Sequence, residues 1–367
     1  MKKTLFLLVI AATAMTGCVK SEVLEVAENR VIEFDSFVGK HTKAAENQIA
    51  TIIGTRSELT EFYVYGNNGS GKVFDGAKVY YTGDAQNGHY TYDGGAKVWL
   101  TGHTYYFAAV SDGNSNVSNV TYNGTESNNT LTIDDYNVGL NDLIADIADP
   151  VNTSGSMVGK ETVTFDFRHL LTRVRFVVNN DVSTENSVVV VKDLKFEGVK
   201  EADCVYTLTQ DSNAKNYTHS YNWDISGKAA QIYQYTDATI EAPNVSTVDA
   251  GKFYIKPGQS KQFGHFVIPQ TSQRKVSFKL ETYTLTEGGS YQLTDTKDYT
   301  YDLDYDNDLT ASNSDDFLWQ PGKVYQYAIK VAGTTSYIRF DATVQGWNWD
   351  INADGSSNSS DDIQIAN

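Results

Sequence analysis

Short apolar runs with a period of two, each closed by Gly, Asn or Asp, recur through this 367-residue chain and confine it to β-sheet. Phe62-Tyr63-Val64-Tyr65 stops at Gly66-Asn67-Asn68-Gly69. Val163-Thr164-Phe165-Asp166-Phe167 puts its three apolar residues on one face. Val174-Arg175-Phe176-Val177-Val178, Phe266-Val267-Ile268, Val276-Ser277-Phe278-Lys279-Leu280 and Val324-Tyr325-Gln326-Tyr327 continue the series. Composition agrees: five prolines stand against 24 tyrosines, and with 40% hydrophobic residues the chain can fill a core, which excludes global disorder. Short strands between turn signals imply β-sandwich domains, with a boundary expected near residues 179–186. One stretch reads otherwise. Leu140, Leu143, Ile144 and Ile147 have helical spacing and stop near Pro150, which predicts two helical turns. Residues 111–130 and 352–362 are rich in Asn and Ser and read as a long exposed loop and a flexible tail.

The first residues read as an address. Met1-Lys2-Lys3 is cationic, Thr4 through Met15 carries no charge, and Thr16-Gly17-Cys18 follows, the pattern of a secretory signal peptide. Met15-Thr16-Gly17-Cys18 resembles a bacterial lipobox, which makes Cys18 the expected lipidation site and the outer membrane the expected anchor. No later apolar run reaches the roughly 20 residues of a membrane-spanning helix. Lys and Arg total 29 and Asp and Glu total 46, a net charge of −17, which excludes a nucleic-acid partner and disfavours docking on anionic lipid. With only two cysteines a disulfide scaffold is excluded, and Cys204, beside Val205, Tyr206 and Leu208, reads as a small buried hydrophobe.

No catalytic pattern stands out. The six histidines lack metal-ligand spacing, and His169 reads as structural. Neither a Gly-x-Ser-x-Gly elbow nor a phosphate loop is present, so no enzyme activity and no cofactor are expected. Asp302, Asp304, Asp306 and Asp308 fall on alternate positions of a calcium loop, but Asn307 replaces its Gly and Asn313 its Glu. The same stretch reads as a strand with Tyr299, Tyr301, Leu303 and Tyr305 inward.

Six pieces, in order, resemble the fimbrillin-like lipoproteins of Bacteroidia, subunits of type V pili. The lipobox comes first, and Val31-Ile32-Glu33-Phe34-Asp35-Ser36-Phe37-Val38, with Thr42-Lys43-Ala44 after it, second. Leu59-Thr60-Glu61-Phe62-Tyr63-Val64, Asp142-Leu143-Ile144-Ala145, Phe167-Arg168-His169-Leu170-Leu171-Thr172-Arg173-Val174 and Pro321-Gly322-Lys323-Val324-Tyr325 complete the set. The resemblance implies an all-β fold of two tandem transthyretin-like β-sandwich domains after a lipoprotein signal peptide. The divisions are residues 1–17 for the signal peptide, 18–43 for a lipidated segment with a removable first strand, 44–180 and 181–350 for the two sandwiches, and 351–367 for a tail. It also implies a surface precursor cut by a trypsin-like protease and assembled with other pilus subunits by β-strand exchange, with a structural or adhesive role.

On this reading the removable strand comprises Val31, Ile32, Phe34, Phe37 and Val38. Ile32, Phe34 and Ser36 share one face; Val31, Glu33, Asp35 and Phe37 share the other. Lys43 holds the position of the family's junction arginine, and Arg56, in a turn-like stretch, is the second candidate for cleavage. Ile338, Phe340, Ala342 and Val344, or Ile363 and Ile365 near the C-terminus, are the candidate donor strand. The competing expectation is a non-polymerising glycan-binding surface lipoprotein, with Trp99, Trp223, Trp347 or Trp349 as sugar platforms.

Overall fold

The computed structural model describes residues 31–38, 58–83, 88–154, 162–182, 186–210, 217–250, 253–270, 275–303, 319–332, 337–346 and 363–364. The strands of the first half are β1 (Glu33–Val38), β2 (Glu61–Asn67), β3 (Lys72–Thr82), β4 (His89–Tyr92), β5 (Thr104–Asp112), β6 (Val120–Gly124), β7 (Asn129–Asn137), β8 (Leu143–Asn152) and β9 (Thr162–His169). β10 (Thr172–Asn180), β11 (Ser187–Gly198), β12 (Glu201–Gln210), β13 (Tyr217–Asp224) and β14 (Gln231–Gln234) follow. A short helix, α1 (Val245–Ala250), precedes β15 (Tyr254–Ile255), β16 (Ser260–Val267), β17 (Lys275–Leu285), β18 (Tyr291–Asp302), β19 (Lys323–Ala332), β20 (Tyr337–Gly346) and β21 (Ile363–Gln364). The fold is all-β.

The strands form four sheets. The largest runs β1-β9-β8-β5-β2-β3-β4, and its first and last strands approach each other so that it curls into a nearly closed barrel. The second runs β16-β10-β19-β20-β21, the third β14-β11-β17-β18 with β15 on β11, and the fourth β13-β12-β7-β6. Most ladders are antiparallel; β1 on β9 and β10 on β19 are parallel. β3 accommodates the curl of the large sheet with a bulge opposite Val64 and Tyr65. Gly76 occupies that bulge at φ +69°, a conformation most side chains resist.

The central strands of the large sheet, β5 and β8, are buried on both faces. Phe62, Val64, Phe107, Ile144 and Phe165 fill the barrel interior, while Ala108, Val110, Leu143, Ala145 and Ile147 face a second core shared with β7, β10, β11 and β12. This explains the misread helix. Leu143, Ile144 and Ile147 lie on β8, where burial of successive residues on opposite faces makes an apolar run, interrupted by Asp146, that happens to include helical spacings. Leu140 is 44% exposed and belongs to neither core. Residues 111–130 are likewise not one loop. They contain β6, whose polar residues Thr121 and Asn123 face outward while Tyr122 packs on the core. Cys204 is fully buried on β12 and its thiol is pushed up by burial, as fits an inert core residue.

Candidate functional site

The site is the seat of residues 31–38. Ile32, Phe34 and Ser36 are 0%, 4% and 4% exposed, whereas Glu33 between them faces solvent. Phe34 enters an aromatic box, with ring centroids 5.2 Å from Phe74, 5.6 Å from Tyr92, 5.9 Å from Phe107 and 5.9 Å from Phe165. Burying one such side chain stabilises by roughly 1.5–3 kcal/mol.

The two edges of the segment are held differently. Toward β9 it makes six consecutive parallel pairs, from Glu33 with Thr162 to Val38 with Phe167. Toward β4 it has no ladder. Ile32 N–H donates to Lys97 O at 2.8 Å beside an isolated bridge between Val31 and Val98. Tyr92 Oη donates to Ile32 O at 3.0 Å and receives Lys97 N–H at 3.0 Å. Deeper in, Ser36 Oγ donates to Tyr90 Oη at 2.7 Å, and Tyr90 Oη donates to Leu59 O at 2.8 Å. A cleft of about 550 Å³, lined by Phe34, Asp35, Tyr90, Tyr92, Gly95 and others, lies along this side. One strand thus completes the barrel with a full ladder on one edge and side-chain hydroxyls on the other. Burial holds the Tyr92 hydroxyl above the ordinary phenol range, which keeps it a donor.

The other sequence elements cluster around the barrel's end. Asp142 accepts from His169 Nδ1 at 3.0 Å, and Leu170 N–H donates to Leu143 O at 3.0 Å, so the Asp142 and Phe167 stretches pack directly together. The Pro321-Gly322 turn leads into β19. Gly322, at φ +65°, donates its N–H to Leu171 O at 2.9 Å, and a Cβ there would stand 3.4 Å from His169 O. His169 is therefore a buried structural side chain.

Among the remaining sequence candidates, Cys18, Lys43, Arg56 and Ile365 lie outside the described residues. Phe37 and Val38 are placed by backbone pairing alone. Ile338, Phe340, Ala342 and Val344 sit on β20, paired with Val331, Ile329, Tyr327 and Tyr325 of β19. Ile363 pairs with Val344 on the far side of β20. Trp99 and Trp223 are 1% and 8% exposed and serve as core, which removes them as sugar platforms; Trp347 and Trp349 lie outside the described residues. Tyr299 and Tyr301 pack against the core and Leu303 is buried, while Asp304, Asp306 and Asp308 lie outside the described residues. Among the described residues no group of three His, Cys, Asp or Glu could hold a metal ion. Sequence reading missed Tyr90 and Tyr92, the hydroxyl pair that receives the first strand. Their only signal is the two-residue spacing that puts both on one face.

The barrel is thus an all-β unit completed by a parallel edge strand, β1, beside β9. The model of the fimbrillin-like family matches residues 42–347, a stretch that starts just beyond β1 and includes β20. The chain belongs to the fimbrillin-like family, and is a surface protein related to the fimbrial adhesion proteins of Bacteroidia. Among solved structures, a fimbrial protein from Bacteroides vulgatus ATCC 8482 is 15% identical, with 87% of this chain and 99% of that chain covered and a TM-score of 0.46. The fimbrial anchor protein Mfa2 from Porphyromonas gingivalis is 11% identical, with 87% and 98% covered and a TM-score of 0.33. No curated relative matches the chain in sequence. Fimbrillin-like proteins are structural and non-catalytic.

Proposed function

We propose that the chain is a fimbrial subunit precursor, anchored to the outer membrane through lipidated Cys18 and matured by a trypsin-like surface protease cutting after Lys43 or Arg56. The cut frees β1, and a strand from a neighbouring subunit takes its seat by β-augmentation. Residues 44–180 and 181–350 correspond on this reading to two transthyretin-like sandwiches, tied together by the pairing of β7 with β12 and of β10 with β16 and β19. The observation that carries the proposal is the asymmetric seating of β1. A strand laddered on one edge only, with a buried apolar face, can leave as a unit, and its departure exposes a groove that another strand would fill.

The chain itself contains a fitting replacement. Ile338-Arg339-Phe340-Asp341-Ala342 repeats the order Ile, x, Phe, Asp, small residue of Ile32-Glu33-Phe34-Asp35-Ser36. A segment of that pattern would bring a large aromatic to the Phe74, Tyr92, Phe107 and Phe165 box and a small residue to Tyr90. Burial of Trp99 and Trp223 disfavours the non-polymerising glycan-binding alternative.

Limited trypsin digestion of the unlipidated precursor tests the reading. The expected product is a core starting at Ala44 or Ser57 that forms SDS-resistant ladders. A stable monomeric core that keeps residues 31–38 through denaturing purification would overturn it.

A further inference from the structure

Beside the β1 seat the large sheet is split. β8 and β9 share only two ladder pairs, Ile144 with His169 and Ala145 with Arg168. In continued register the ladder would join Ile147 to Asp166, Asp149 to Thr164 and Val151 to Thr162. The Asp146 carboxylate ends it instead. Its Oδ2 accepts Asp166 N–H at 2.8 Å, and its Oδ1 accepts Arg168 Nη1 at 2.6 Å and Tyr206 Oη at 3.1 Å. Beyond that point the strands part around a cleft of about 400 Å³, with Ile147, Asp149 and Val151 on one wall and Thr162, Thr164 and Asp166 on the other. The consequence lies on the opposite edge of β9. Among the described residues, the ladder partner of residues 162–167 is β1. Within the barrel Phe165 packs on Phe34 of this same strand and on Phe62 of β2.

We propose that residues 162–166 of β9 form a flap whose order depends on the strand beside it, hinged where Asp146 grips Asp166 and Arg168. Vacating the β1 seat leaves this stretch with neither edge laddered, so it loosens; a strand entering the seat re-forms it. The acceptor is then two strands wide, bounded by β4 and β8, and an incoming strand must pair in parallel with β9 while it fills the barrel. This deepens the assembly reading above, since it rests on β1 leaving its seat.

Hydrogen exchange read by mass spectrometry on the unlipidated full chain tests it without cleavage. Ile32→Asp with Phe34→Asp prevents seating of β1. The expected result is at least tenfold faster exchange over residues 162–166, with β5 unchanged, and protection restored by a synthetic peptide of residues 31–38. Unchanged protection at 162–166 while residues 33–38 exchange freely would overturn the proposal, as would equal loss throughout β5. Should the double variant not fold, Phe34→Ala gives the same decision: exchange of residues 33–38 and 162–166 must rise by the same factor, and a rise in residues 33–38 alone ends the proposal. Coupled exchange in a chain that never forms ladders would keep the flap and end the assembly reading, so the two failures are distinguishable.

Discussion

Phe34 is the residue on which the seat turns. It meets four aromatic rings, and two of them, Tyr92 and Phe165, come from the elements that flank β1 on either side. Truncating a buried Phe removes its transfer free energy and leaves a cavity, so Phe34→Ala should cost about 3–5 kcal/mol. The check is the urea midpoint, and a change below about 1 kcal/mol would mean that the ring is not anchored in the box. Asp146 is the second key residue. Desolvation by burial pushes its carboxyl up to about 6, although Arg168, Asp166 N–H and Tyr206 pull the other way. A carboxyl raised in this way contributes stability that is fully present below its unfolded pKa and lost as pH rises through about 6. His219 and His265, both depressed to about 4 chiefly by burial, act with the opposite sign: their contribution is present above the unfolded value and lost as pH falls through about 4. The opposing terms flatten the native profile between them. Asp146→Asn should therefore gain about 1–3 kcal/mol relative to the native chain between pH 4 and pH 7, read from urea midpoints at several pH values. Parallel profiles for the two proteins would contradict this.

At the scale of elements, strands with one buried face were legible from alternation, and the doubly buried β5, β10 and β11 from their β-branched and aromatic runs, whereas the doubly buried β8 was not. Val163, Phe165 and Phe167 alternate with exposed Thr162, Thr164 and Asp166, and β9 reads directly from the pattern. The face of β1 reads the same way, because Ile32, Phe34 and Ser36 alternate with residues on the rim. β8 defeats the pattern because it lies between two cores, and Pro150 is tolerated there because it falls in a bulge, between the Ala148 and Val151 pairings with β5. β6 is hidden because its outward positions are as polar as a loop. Pairing partners were beyond reach: nothing local in Glu33 or Thr162 announces that they meet in parallel, and such contacts depend on the path of the whole sheet. The same holds for Asp146, Arg168, Tyr206 and His219, which four separate strands, β8, β9, β12 and β13, bring together; the Tyr206 hydroxyl stands 2.8 Å from His219 Nδ1.

For the whole molecule, charge does not distinguish precursor from product. A cut after Lys43 would remove six of the 29 basic and five of the 46 acidic residues and change the net charge only from −17 to −18. Packing is left as the driving term. On the proposed mechanism, loss of β1 would open the barrel and refilling it would restore the core, so assembly should depend on whether β1 is free to go. The bridge between Val31 and Val98 offers a way to hold it. The bond from Ile32 N–H to Lys97 O makes this a non-hydrogen-bonded antiparallel pair, the type whose side chains stand closest. The most direct measurement is SDS gel electrophoresis of the unlipidated precursor carrying Val31→Cys and Val98→Cys, cut with trypsin with and without reductant. The oxidised protein is expected to be cut yet remain monomeric, and ladders to form once reductant frees the strand. Ladders of equal extent in the oxidised protein would contradict it.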